Sequence, residues 1–195
     1  MATSIHTDIQ EHVEMSAKKI IREQLTPWKF FHSSKRLNVT RFDGTKISYE
    51  GSDFSGSPSE IFWSDYIEPF LKDLINNEIS VTYDKAKANY IDNCKALDEL
   101  EAILFSYCVK VYREMADIDQ KLRGKGIPDS VQKRPIDKKT DAIKEYISER
   151  ITSKKEIILS TPWYEKPWVK AWPVLVTMAV SIANLLLSIY NNFFK

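Results

Sequence analysis

Apolar residues at Ile9, Val13, Ala17, Ile20 and Ile21 recur at helical spacing, which predicts a first helix from about Thr7 to Leu25, with Thr7 as its N-cap. Thr26-Pro27 is expected to end it. From Arg36 to Tyr49 the period shortens to two. A hairpin turning through Phe42-Asp43-Gly44 sets Val39 opposite Ile47 and Leu37 opposite Tyr49, with Gly44 as the left-handed residue of the turn. The other face, Asn38, Thr40, Lys46 and Ser48, is polar enough to meet water. An isolated hairpin is marginal, so this one is expected to pack on helices.

Ser57-Pro58-Ser59-Glu60 combines an N-cap, a proline at the first helical position and a glutamate at the third. The helix it opens turns Ile61, Phe62, Tyr66, Ile67, Phe70, Leu71 and Leu74 inward, kinks at Pro69 and breaks at Asn76-Asn77. A long helix is expected over about 83–122. Along it Tyr90, Cys94, Leu97, Glu101, Leu104, Cys108, Val111, Met115, Ile118 and Leu122 alternate steps of four and three. Leu100, Ile103, Phe105, Tyr107 and Val109 widen that seam, which favours packing inside a helical bundle over a two-stranded coiled coil. Gly124-Lys125-Gly126-Ile127-Pro128 ends it, and Pro135 with Asp137 precedes a last helix reaching about Ile158.

The next hydrophobic segment changes the expected class. Ala171 to Tyr190 is a run of twenty residues without a charge, and at about 1.5 Å per residue it matches the roughly 30 Å of a bilayer interior. Its aliphatic residues sum to about 3 to 5 kcal/mol in favour of insertion. Trp168 and Trp172 before it, and Tyr190 and Phe193 after it, are read as membrane-interface residues. Lys166 and Lys170 against Lys195 place the preceding domain in the cytoplasm. Thr177, Ser181, Asn184 and Ser188 form one polar face, read as a transmembrane helix-helix contact; serine and threonine hydroxyls bonded back to their own helix are the plainer alternative.

The expected fold is therefore mainly α. A helical cytosolic domain occupies 1–160, with a small β-hairpin at about 36–49 and a long central helix at about 83–122. An aromatic juxtamembrane linker at 161–170, one C-terminal transmembrane helix at 171–190 and a short tail at 191–195 follow.

Composition narrows the function more than it specifies one. With 28 basic and 27 acidic residues the formal charge is +1, which gives no electrostatic footprint for nucleic acid, and none is expected as a partner. His6, Asp8, Glu11, His12, Glu14, Lys18 and Lys19 interrupt any secretory leader near the start. Cys94 and Cys108 are then expected as reduced, structural thiols two heptads apart. Nucleotide, zinc, calcium and hydrolase signatures are missing. Ser16-Ala17-Lys18-Lys19 fits S-x-x-K, but a solvated helix face explains it. His6, His12 and His32 lack paired ligand spacing and read as surface histidines. Glu114, Asp117 and Asp119 read as a solvated face. No catalytic residue, metal ligand or cofactor is assigned, and the chain is expected not to be an enzyme.

The function expected from these readings is a tail-anchored, single-pass membrane protein. Its cytoplasmic helical domain binds a partner or signal, and its span supports oligomerisation. The partners are the lipid bilayer, a second copy of the chain and a protein docked on the long helix. A membrane-disrupting effector of a bacterial antiviral or toxin system is one alternative, and an unfamiliar membrane-associated enzyme is another.

Overall fold

The computed structural model describes residues 5–34, 36–50, 62–123, 136–160 and 167–193, and their side chains except at 31–34, 36–37, 49–50, 122–123, 167–171, 175 and 187–193. The expected helix start at Ser57-Pro58-Ser59-Glu60 and the stop at Gly124 to Pro128 lie outside the described residues. The chain divides into two compact units, Met1–Lys155 and Glu156–Lys195.

In the first unit, α1 (His6–Lys19) carries Asp8 in its first turn and Lys18 and Lys19 in its last, matching the helix dipole at both ends. It begins just before Thr7, with Ile5 at the cap position and no side-chain cap. A π-helical turn, Ile20–Gln24, continues it. Thr26-Pro27 does not merely stop this helix: it opens α2 (Thr26–Ser34), where proline loses nothing because a first-turn N–H has no helical partner. Strands β1 (Arg36–Thr40) and β2 (Lys46–Glu50) then pair antiparallel with Val39 opposite Ile47 and Leu37 opposite Tyr49, the register read from the sequence. Gly44 has φ of 85°, a conformation that costs glycine little. The Thr45 N–H donates to Asp43 Oδ1 at 2.9 Å and holds that carboxyl below its ordinary range. The hairpin tip rests on helices as expected: Phe42 meets Phe70 edge-on at 5.5 Å, and Arg41 lies 3.7 Å from Asp65.

A second π-helical segment, Phe62–Ile67, leads into α3 (Glu68–Ala88). Pro69 stands where π gives way to α, because a residue without an N–H cannot continue the hydrogen-bond ladder there. The expected break at Asn76-Asn77 is absent. Both asparagines sit on the exposed side of α3, and Asn76 donates to the Tyr146 hydroxyl at 3.1 Å. The break comes instead at Asn89–Asp92, so the expected single helix over 83–122 is divided between α3 and α4 (Asn93–Arg123). The Asn89 amide donates to the Lys85 carbonyl, Tyr90 adopts a φ of 57°, and Asp92 Oδ1 accepts the N–H groups of Cys94 and Lys95. A C-terminal stop and an N-terminal cap thus stand back to back.

Helix α4 packs on α1, α2 and α3. Leu97, Leu100, Leu104, Val111, Tyr112 and Met115 are buried along it, and each such side chain gains about 1.5 to 3 kcal/mol on leaving water. The apolar surface expected to dock a protein partner is therefore spent inside the domain. Helix α5 (Ile136–Ser160) closes the bundle with Ile143, Ile147 and Ile151 buried, tied by Lys139 to Ser64 and Glu68 and by Lys155 to Asp98.

The second unit corrects the expected fold class. Helix α6 (Pro167–Phe193) is present, yet among the described residues no helix is long and apolar enough to cross a membrane. The side chains described on α6 run from Trp172 to Leu186, about 20 Å of rise. Pro173 stands near the start of that stretch, and Thr177, Ser181 and Asn184 interrupt it. The transmembrane helix over 171–190, the bilayer as partner and the single-pass location fall with this finding. Trp172 is exposed, whereas the side chains of Trp168, Tyr190, Phe193 and Ser188 lie outside the described residues. Thr177 donates its hydroxyl to the Pro173 carbonyl at 2.8 Å, and Ser181 to the Thr177 carbonyl at 2.9 Å. Both donors are thus satisfied within their own helix. The expectation of self-association through the span loses the span on which it rested.

Candidate functional site

Helix α3 carries a carboxylate on its buried stripe. Leu71, Leu74, Ile75, Glu78, Ile79 and Thr82 face the core, and Glu78 is only 1% exposed. A charge so far from water requires partners, and α1 supplies them. His12 Nδ1 lies 2.7 Å from Glu78 Oε2 and 2.9 Å from Oε1, and the Ser16 hydroxyl donates to Oε1 at 3.2 Å. His12 meets the carboxylate through Nδ1, the ring atom that donates in the Nδ1–H tautomer. His12 and Ser16 are one helical turn apart and share a face of α1.

This cluster borders a cavity of about 330 Å³, within the range of small-molecule sites. Ser16, Lys19 and Ile20 form one side. Glu23 and Gln24, from the first π-helical turn, extend it, and Phe42 reaches over from the hairpin. Phe70, Asp73, Leu74, Asn77 and Glu78 of α3 form the opposite wall. Among the described residues three carboxylates thus meet one ammonium, with Glu23 also 2.9 Å from Arg22. Tyr66 of the second π-helical segment donates to Gln24 Oε1 at 2.6 Å, joining the two irregular helical stretches beside the cavity. Such π turns often mark functional positions. Burial pushes the Tyr66 hydroxyl up to about 12, so it stays a neutral donor.

A second buried carboxylate lies deeper. Asp119 Oδ1 accepts the indole N–H of Trp28 at 2.6 Å, and Oδ2 that of Trp63 at 3.1 Å. Trp28 stacks on Phe62 at 4.9 Å and Trp63 on Tyr112 at 5.6 Å. This arrangement staples α2, the second π-helical segment and α4 into one aromatic interior.

No family model, curated protein or solved structure matches this chain. The tail-anchored partner-binding role and the membrane-effector role expected from the sequence find no support in these comparisons, and among the described residues no helix is long and apolar enough to supply the span on which both rested.

The structure brings together residues that the sequence left apart. Ser16 and Lys19 of the S-x-x-K match both line the cavity, so Ser16 is not simply a solvated position. His12, read as a surface residue, holds Glu78, and His6 lies 3.2 Å from Glu99; the side chain of His32 lies outside those described. Asp117 is exposed as expected, but Asp119 is buried. Among the described residues no group of three potential ligands is placed to hold a metal ion. Cys108 is buried, which pushes its thiol up to about 12, in keeping with a structural role.

Glu78, Asp73 and Phe42 were missed as site residues. The sequence did carry a signal for Glu78: it continues the Leu71, Leu74, Ile75 stripe, and a charge on an apolar stripe demands a partner. The break assumed at Asn76-Asn77 hid it. A larger depression along Pro173, Val174, Thr177, Met178 and Ser181 is walled by one face of a single helix, which cannot surround a ligand.

Proposed function

We propose that this domain is a non-enzymatic binding module that takes a small molecule into the cavity between α1 and α3. The observation that carries this reading is the buried Glu78 carboxylate, fixed by His12 and Ser16 at the edge of that cavity. A pre-oriented acceptor beside apolar walls is how concave sites fix a ligand's orientation. Proton relay is less well served. The base that the Ser16 hydroxyl meets is the Glu78 carboxylate, which His12 also engages through both oxygens, and a carboxylate so hydrogen-bonded is a weak base for activating a serine.

The test is a fragment set of mixed charge added to the isotopically labelled full chain. Amide shifts should gather at Ser16, Ile20, Asp73 and Asn77, and Asn77→Trp, which blocks the cavity from an exposed position, should abolish them. Shifts elsewhere, or none from any fragment, would overturn the reading.

A further inference from the structure

We infer that the cavity selects a small organic cation with an apolar or aromatic body, joined to its charge by a short chain; this rests on the binding role proposed above. The charge of the lining motivates the first half. Among the described residues, Glu23, Asp73 and Glu78 line the cavity with Lys19, and Arg22 lies 2.9 Å from Glu23; three carboxylates against two cations leave an acidic excess, so an incoming anion meets net repulsion and an ammonium net attraction. Ile20 and Leu74 are buried beside them, and apolar walls let such an attraction persist where open water would screen it.

The apolar half follows from the order of residues along α3. Phe70, Asp73, Asn77 and Glu78 all line the cavity, so the wall runs from an aromatic end to a carboxylate end. Phe70 is separated from Asp73 by about 4.5 Å of helical rise and from Glu78 by about 12 Å. Phe42 meets Phe70 edge-on and is half exposed, leaving ring surface for a ligand's apolar body or, through the ring faces, for part of its charge. A ring and an ammonium separated by two to four bonds fit this polarity, and a free carboxylate in place of the ammonium does not.

Matched probes separate charge from shape: tryptamine, its neutral counterpart tryptophol and the anion indole-3-propionate, each titrated calorimetrically into the full chain. Tryptamine is expected to bind at least about tenfold more tightly than the other two. Asp73→Asn, at an exposed position that should not disturb folding, is expected to weaken tryptamine by about three- to tenfold and leave tryptophol unchanged, while Lys19→Gln strengthens tryptamine by about threefold. Equal binding of all three probes at the cavity would overturn the charge selection and leave the binding role standing. Failure of all three, together with fragment shifts at the cavity, would overturn the ligand class alone. Failure of every probe and every fragment would overturn both.

Discussion

Glu78 and Asp119 are both carboxylates withdrawn from water, one 1% and the other 7% exposed, but their surroundings are unlike. Asp119 sits among stacked rings and accepts two indole N–H groups, and these two partners belong to the packed core itself. Glu78 sits at a seam between two helices, held by a half-exposed histidine and a serine, with a cavity at its side. The difference teaches where burial of charge serves the fold and where it prepares a site. Rigid aromatic donors satisfy a carboxylate and close the space around it. Small polar donors satisfy it and leave room.

The comparison can be broken most directly at Asp119. Asp119→Ala leaves two buried indole donors without their acceptor and is expected to cost about 3 to 5 kcal/mol in denaturant unfolding. A loss below about 1 kcal/mol would mean that the indoles find other acceptors and that the aromatic interior does not depend on the carboxylate.

Glu78→Ala should cost less, about 2 kcal/mol, because water entering from the cavity can take up the His12 and Ser16 donors. If the two substitutions cost the same, Glu78 is as enclosed as Asp119 and the contrast fails.

Tyr66 joins the two regions, packing against Phe62 and Phe70 while donating to Gln24. Tyr66→Phe is expected to cost about 1 kcal/mol at neutral pH. Its pH behaviour sharpens the test. Burial raises Tyr66 from 10.0 to about 12 and Cys108 from 9.0 to about 12. Folded protein therefore holds protons that the unfolded chain releases above about pH 9 to 10, and stability falls as pH rises toward about 12. Urea unfolding across that window should show the decline, reduced in Tyr66→Phe and in Cys108→Ala. A flat profile would place both groups in contact with water.

The smallest effect concerns thiol access. Alkylation of the native protein at mildly alkaline pH should modify the half-buried Cys94 and spare Cys108 until denaturant is added. Mass spectrometry of the adducts reads this directly. Modification of native Cys108 at a rate comparable to Cys94 would show that the core around α4 opens locally.

Much of the fold was legible because periodicity records which face of an element is dry. The hairpin register follows from alternation around Gly44, and the inward stripe of α4 from its three-and-four spacing. Helix boundaries were less legible where side-chain chemistry competes with pattern. Asn76-Asn77 reads as a breaker but lies on the exposed side of α3, while the cap at Asp92 acts through backbone bonds that no hydrophobic period reveals. The candidate site was hidden for a related reason. His12, Ser16 and Glu78 are more than sixty residues apart in pairing, and nothing local in either segment names the other.

The amino-acid sequence by itself determined a mainly helical chain with one hairpin, because hydrophobic spacing and turn residues act over a few positions. Only the tertiary structure decided that α1 and α3 lie side by side, that Glu78 and Asp119 leave water with different partners, and that a cavity remains beside one of them. Those outcomes depend on which distant donors reach a carboxylate and how completely neighbouring side chains fill the space, and both are properties of packing.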